Sequence, residues 1–339
     1  GLEARMNNIE AGSFSETTTA SFSADFAVGA VDGSGITTTD KSGTEALTAV
    51  YGFQIDLSTS FTGEDSLDIS IDAGNAGAVG VAEFDLNSTA DKLTVDGVSY
   101  SFPVGDKTSV IVGAQGTDGS AIFTTACTYG GPSNTLDDCG NVASAFGSQS
   151  GSSLGVSYAV TDELTLALGY AGQGTASNKG LMTSEGLDAV GINAAYSTDT
   201  YGLSVTYASV ETALAKPPGA YNDASVAING YFSPEGLPAS ISAGYETIDV
   251  GGAAITADEK DSWFVGLQFD ELGPGSGGVA IGTQGSILET ADTALMYEAY
   301  YSYPVNDGMT ITPLIYAKEG TSATDEDETG VMVKTSFSF

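Results

Sequence analysis

Ser153-Leu154-Gly155-Val156-Ser157-Tyr158-Ala159-Val160, then Thr161-Asp162-Glu163, then Leu164-Thr165-Leu166-Ala167-Leu168-Gly169-Tyr170 is the stretch whose pattern decides the fold. In both segments large apolar residues alternate with glycine, alanine, serine or threonine, and only Thr161-Asp162-Glu163 separates them. Alternation with a period of two sends successive side chains to opposite faces, which is the signature of a strand. So short a connection makes the pair an antiparallel hairpin.

Outward from this hairpin the pattern recurs along the chain. It predicts about 16 strands, near 17–30, 45–58, 65–72, 91–103, 108–115, 151–160, 163–171, 187–197, 201–210, 223–233, 238–248, 262–270, 278–285, 294–304, 309–317 and 329–339. Short connections such as Gly105-Asp106, Thr198-Asp199-Thr200 and Asn306-Asp307-Gly308 alternate with long polar ones at 31–44, 73–91, 116–150, 172–185, 211–222, 250–260 and 318–328. Tight turns at one end and long loops at the other indicate an all-β fold, a transmembrane antiparallel β-barrel. In the fourth strand Leu93 and Val95 are out of phase with Val98, Tyr100 and Phe102, which calls for a bulge at Asp96-Gly97 or a separate hairpin.

Parity assigns the faces. Phe22, Phe26 and Val28 oppose Ser21, Ser23, Asp25 and Gly29; Tyr51, Phe53, Ile55 and Leu57 oppose Gln54 and Asp56; Leu67, Ile69 and Ile71 oppose Asp68, Ser70 and Asp72. The same split would serve a soluble sandwich with its apolar faces inward. The aromatics favour the barrel. Tyr158, Tyr196, Tyr201, Phe232, Phe269, Tyr303, Phe337 and Phe339 lie close to the short turns or the chain end, and Tyr170, Tyr207, Tyr245 and Tyr316 near the long loops. Two such girdles suit ring side chains at the two membrane–water interfaces. The small polar face has few large residues, as expected of a wide, water-filled lumen.

Composition excludes several function classes. The 339 residues carry 44 Asp plus Glu, 9 Lys plus Arg and no His, for a formal net charge of −35. Without histidine, and with Arg5 as the one arginine, Ser–His chemistry, histidine metal sites and arginine clamps on phosphate are unavailable, so no enzyme is expected. A surface this acidic repels nucleic acid. With 41% hydrophobic residues the chain is not a disordered acidic tail, and its longest apolar runs are four residues, too short for a membrane helix.

Cys127 and Cys139 enclose Thr128 to Asp138 in the longest loop, a spacing that suits a disulfide and an oxidising compartment. Leu2, Met6 and Ile9, spaced four and three, fit the a and d positions of a coiled coil; the alternative is a disordered leader. Parity places Asp25, Asp56, Asp68, Asp72, Glu246 and Glu298 in the lumen, with Lys334 the one base assigned there. A single-signed field of this kind favours cations. The inward aromatics, Tyr231, Phe264 and Tyr300, form no evident slide for sugar rings. No cofactor is expected. Loop acids such as Asp325-Glu326-Asp327-Glu328 offer oxygens to Ca²⁺ or Mg²⁺, but without the spacing of a dedicated calcium loop.

The start Gly1-Leu2-Glu3-Ala4-Arg5-Met6-Asn7-Asn8-Ile9-Glu10 with Phe14-Ser15-Glu16-Thr17-Thr18-Thr19, the segment Ser99-Tyr100-Ser101-Phe102-Pro103-Val104-Gly105-Asp106-Lys107, and the terminal Phe337 and Phe339 resemble cyanobacterial major outer-membrane porins. The resemblance implies a barrel related to carbohydrate-selective porins, residues 14–339, preceded by the end of a coiled-coil linker, residues 1–13. It implies a homotrimer in the lipid of the outer membrane, with Leu2, Met6 and Ile9 on the three-fold axis. It also implies an upstream S-layer homology domain bound to peptidoglycan or another cell-wall polymer. By analogy with the third external loop of general porins, 116–150 is expected to narrow the lumen, with Asp118, Asp137 and Asp138 as constriction carboxylates; the alternative is a surface loop stapled against proteases. The function expected is passive diffusion of small hydrophilic solutes and inorganic ions, cation-preferring. Carbohydrate transport, a mainly structural tether to the cell wall, and a surface adhesin are the alternatives.

Overall fold

A computed structural model describes residues 17–33, 46–76, 83–117, 119–140, 142, 146, 151–172, 180–183, 186–212, 221–251, 259–289, 291–321 and 325–339. Alternating residues build seventeen strands: β1 (Thr18–Asp32), β2 (Thr48–Thr59), β3 (Ser66–Gly74), β4 (Thr94–Val104), β5 (Thr108–Thr117), β6 (Gly151–Ala159), β7 (Leu164–Gly172), β8 (Asp188–Ser197), β9 (Tyr201–Thr212), β10 (Tyr221–Phe232), β11 (Ala239–Asp249), β12 (Glu259–Leu272), β13 (Gly275–Thr283), β14 (Ile287–Leu288), β15 (Leu295–Asn306), β16 (Met309–Lys318) and β17 (Glu328–Ser338). The two-residue β14 is a flap on β12; the other sixteen are staves.

Each stave pairs antiparallel with its neighbours, and β17 returns to β1 from Ser23↔Ser338 to Asp32↔Thr329. The first and last staves meet again beyond that register. Phe22 and Phe339 exchange both backbone hydrogen bonds and their rings stack at 5.7 Å. Closure leaves no open sheet edge, so every stave satisfies its backbone sideways, as crossing a membrane demands. Among the described residues no helix is long and apolar enough to cross.

The tight turns are built by short polar side chains. Thr161 Oγ1 accepts hydrogen bonds from the amides of Glu163 and Leu164, and Thr198 Oγ1 does the same for Thr200 and Tyr201. In the β2–β3 turn Asp65 Oδ1 accepts from Ser60, Phe61 and Thr62, while Oδ2 accepts from Tyr100 Oη. The Tyr100 hydrogen bond, helped by Thr62 and Ser60, holds the Asp65 carboxyl well below the usual range. In β4, Ser70 faces Gly97 and Ile71 faces Val95, so Asp96 is the extra residue of a bulge, at the expected place.

The outward face is apolar: Phe26, Leu154, Leu168, Ile192, Leu203, Val205, Ile228, Ile315 and Val331 are all exposed. Tyr158, Tyr196, Tyr201, Phe232, Tyr303 and Phe339 are exposed at the short-turn end, and Phe269 and Phe337 are half-exposed there. Tyr316 departs from the expected outer girdle. It lies in phase with Leu314, buried inside the barrel, and its hydroxyl bonds Glu328. An apolar exterior around a polar interior makes this an outer-membrane barrel.

Candidate functional site

Chain from two of the long loops packs against inward-facing residues of the barrel. The described residues of the third loop, a 3-10 turn at Gly119–Ile122 and on to Gly140, with Val142 and Phe146, pack on the inner wall. Its first turn sits on β6 and β7, where Cβ atoms added to Gly155 and Gly169 would come within 2.9 and 2.7 Å of the Gly119 carbonyl oxygen. Phe123 and Phe146 then stack at 5.4 Å above Gly191 of β8. From there the loop runs along wall side chains at two-residue intervals. The amides of Thr124, Ala126 and Thr128 donate to Asn193 Oδ1, Ser204 Oγ and Ser242 Oγ, at 3.1, 2.9 and 2.9 Å. Asn193 Nδ2 returns a bond to the Thr124 carbonyl.

Beyond this stretch Tyr129 enters between β12, β13 and β15. Its ring lies 5.2 Å from that of Phe264 and 6.1 Å from that of Tyr300, and its hydroxyl donates to Glu298 Oε1 at 2.5 Å. Burial first, then the Glu298 charge, pushes the Tyr129 hydroxyl well above its ordinary range. Cys127 and Cys139 form a disulfide, and fully buried Leu136 closes the loop's inner turn. Asp138 and Cys139 both take left-handed backbone conformations in that turn.

The second insertion was not anticipated. Glu83–Asn87, from the loop between β3 and β4, enters the lumen beside the third loop. Phe84 is fully buried and packs in one core with Ala27, Val31, Leu136, Leu314, Tyr316 and Met332. Asn134 and Thr135 donate their amides to the carbonyl and Oε1 of Glu83, Lys318 pairs with Glu83 Oε2, and Asn87 Nδ2 bonds the Phe53 carbonyl. Lys334 lies 5.5 Å above the Phe84 ring. A signal was available in the sequence: Phe84 and Leu86 are large apolar residues inside a polar loop.

These insertions sort the lumen acids. Glu246 and Glu298 face inward as expected but lie on the wall under the third loop, 1% and 4% exposed, so they do not line open space. Asp25, Asp56 and Asp68 stand half-buried on β1–β3, the wall that the third loop leaves bare; Asp72 on the same wall is buried, and bulge residue Asp96 lies beside Asp56 and Asp72. Gln54 Nε2 and Ser70 Oγ bond Asp56, Ser66 Oγ bonds Asp68, and Thr94 Oγ1 bonds Asp72. A cavity of about 170 Å³ separates Asp25 and Gln54 from Asp85 and Asn87 of the insert. Lys334 is not the one lumen base, because Lys318 also points inward to Glu83.

Asp137 sits where the two insertions meet. Burial first, then Asp138, Asp85, Glu298 and Glu83, push its carboxyl up to about 7. Asp118, Arg5, Leu2, Met6 and Ile9 lie outside the described residues. In the last long loop Asp325 and Asp327 accept bonds from Thr321 Oγ1 and the Gly320 amide. Among the described residues no three Asp, Glu, Cys or His are placed to hold a metal ion.

Phe264 and Tyr300 are covered by Tyr129, and Tyr231 packs on Gly202 with its hydroxyl on the Thr198 carbonyl. The bare wall therefore carries carboxylates, not an aromatic track.

No family model and no curated protein matches the chain. Solved structures do. Pseudomonas putida OprB, in a high-pH structure, superposes with a TM-score of 0.68 at 11% identity, over 100% of this chain and 96% of OprB. OmpT, an outer membrane protein of Vibrio cholerae with loop L8 deleted, gives 0.60 at 9% identity, over 96% and 100%. A mutant of the Rh. blastica porin gives 0.59 at 15% identity, over 95% and 100%. At such identities the likeness is one of fold: the chain is a closed sixteen-stave barrel of the outer-membrane porin type.

Proposed function

We propose that the protein is an outer-membrane porin that passes small hydrophilic solutes and inorganic ions by diffusion and prefers cations. The observation that carries this reading is the bare wall, where Asp25, Asp56, Asp68 and Asp96 share the lumen side. The two lumen lysines named above are already engaged, Lys318 by Glu83 and Lys334 by the Phe84 ring. A field of one sign in a narrow, low-dielectric passage concentrates counter-ions and excludes co-ions. The covered aromatics favour ions and small nutrients over sugars, because a sugar slide needs rings open to the passage.

The exposed apolar staves and their aromatic ends suit outer-membrane lipid. Assembly as a homotrimer through residues 1–13, and anchorage to the cell wall by an upstream domain, complete the proposal by resemblance. The loop acids serve hydration and loop order, with no resident metal.

The purified protein in a planar bilayer under a KCl gradient tests the reading. Discrete conductance steps, with a reversal potential close to that of K⁺, are expected. A folded, heat-modifiable barrel that passes no current would favour the tether, and anion preference would overturn the electrostatic argument while keeping the pore.

A further inference from the structure

The disulfide and the wall constrain the third loop in different ways. Cys127 and Cys139 belong to the same loop, so their bond fixes its shape but ties it to no stave. The amides of Thr124, Ala126 and Thr128 reach buried polar groups of the wall, but these are hydrogen bonds of modest net strength and carry no large side chain into it. Tyr129 is different. A Cβ on Gly266 would lie 2.7 Å from Tyr129 Cδ2, and one on Gly278 would lie 2.8 Å from Cε2, so the ring fills space that any larger residue would occupy. Phe264 and Tyr300 flank the ring, and Glu298 accepts its hydroxyl at the bottom of the socket. The next two residues are drawn in as well: Tyr300 Oη donates to the Gly130 carbonyl at 3.0 Å, and a Cβ on Gly131 would collide with Glu298 Oε1.

We propose that Tyr129 is the positioning residue of the constriction: its ring and hydroxyl, keyed into the socket of Gly266, Gly278, Tyr300 and Glu298, hold the third loop on the far wall and so set the width of the pore. Shape and seat are thereby separated, the disulfide supplying the first and Tyr129 the second. The inference rests on the porin reading for its effect on current, but the seating of the loop is measurable without current.

The test uses the whole protein with two readouts, single-channel conductance and amide exchange at residues 124–131. Tyr129→Ala empties the socket, and Gly278→Ala blocks it from the wall without altering the loop. Both are expected to raise conductance about twofold and to speed exchange about tenfold, with the barrel still heat-modifiable. The double variant Cys127→Ser, Cys139→Ser is expected to change exchange within 128–138 and leave conductance within about a fifth of native. Native conductance and native exchange in both Tyr129→Ala and Gly278→Ala would overturn the proposal. If the native protein passes no current the porin reading fails, and exchange alone then decides the role of Tyr129.

Discussion

The two halves of the lumen wall are made of different residues. On β6–β13, where the third loop lies, many of the inward positions are small: Gly155, Gly169, Gly191, Ser204, Ser242, Gly244, Gly266, Gly278 and Gly282 face or touch that loop, beside the larger Asn193, Glu246 and Phe264. On β1–β3, which the loop leaves bare, they are Asp25, Gln54, Asp56, Asp68, Ser70 and Asp72. Staves of one geometry thus carry two inner surfaces. Small residues admit a second layer of chain, and carboxylates keep the remaining space wet.

Breaking the covered side has the largest expected effect. Gly169→Leu would drive a side chain into the Gly119 carbonyl, and overpacking of this kind costs ~1–3 kcal/mol. The first turn of the loop should lift from β6 and β7, giving larger and noisier current steps; quiet native steps would show that the close approach is dispensable. Next comes the bare side. Asparagine at Asp25, Asp56 and Asp68 together should move the reversal potential at least halfway towards zero with little change in conductance. An unchanged potential would assign cation preference elsewhere.

The junction between the insertions offers a smaller, pH-dependent effect. Asp137 titrates at about 7 instead of the ordinary 3.8, so its seat favours the protonated form. The stabilisation is fully present below about pH 4 and is lost as pH rises through about 7. Exchange at residues 133–138, corrected for intrinsic rates, should therefore quicken across that window. Asp137→Asn should hold it slow throughout, and an equal pH response in both proteins would rule Asp137 out. The smallest effect concerns Lys334, whose charge over the Phe84 ring is worth ~0.5–2 kcal/mol. Lys334→Met should lower the thermal midpoint slightly and strengthen cation preference.

The barrel was legible because its signal is local. Alternation in Leu154–Tyr158 and Leu164–Tyr170 needs no knowledge of distant chain, and the phase slip around Asp96 is visible within one strand. The contents of the lumen were not legible in the same way. The small inner face suggests an empty lumen, but Gly191 and Gly266 are small because Phe123 and Tyr129 lie on them. Phe84 is conspicuous in its loop, although nothing near it in sequence names Met332 and Leu314 as its neighbours. Tyr316 was assigned to the membrane surface from its nearness to a loop, whereas its phase with Leu314 sends it inward. Parity identified the carboxylates; only the path of the loop separates Asp56, in the open, from Glu246, beneath cover.

The hydroxyl contact between Tyr129 and Glu298 spans 169 positions of sequence. A chain delivered from its N-terminus thus presents the key long before its lock, and β15 must arrive before the third loop can come to rest. Until then Tyr129 lacks a full socket, and such transiently exposed apolar surface invites aggregation. The bond between Cys127 and Cys139 needs no later strand, so the loop can be folded into a parcel while the barrel is still open. Assembly then has a natural order, with the parcel tied first, the wall rolled around it, and the terminal Phe339 sealing the seam against Phe22.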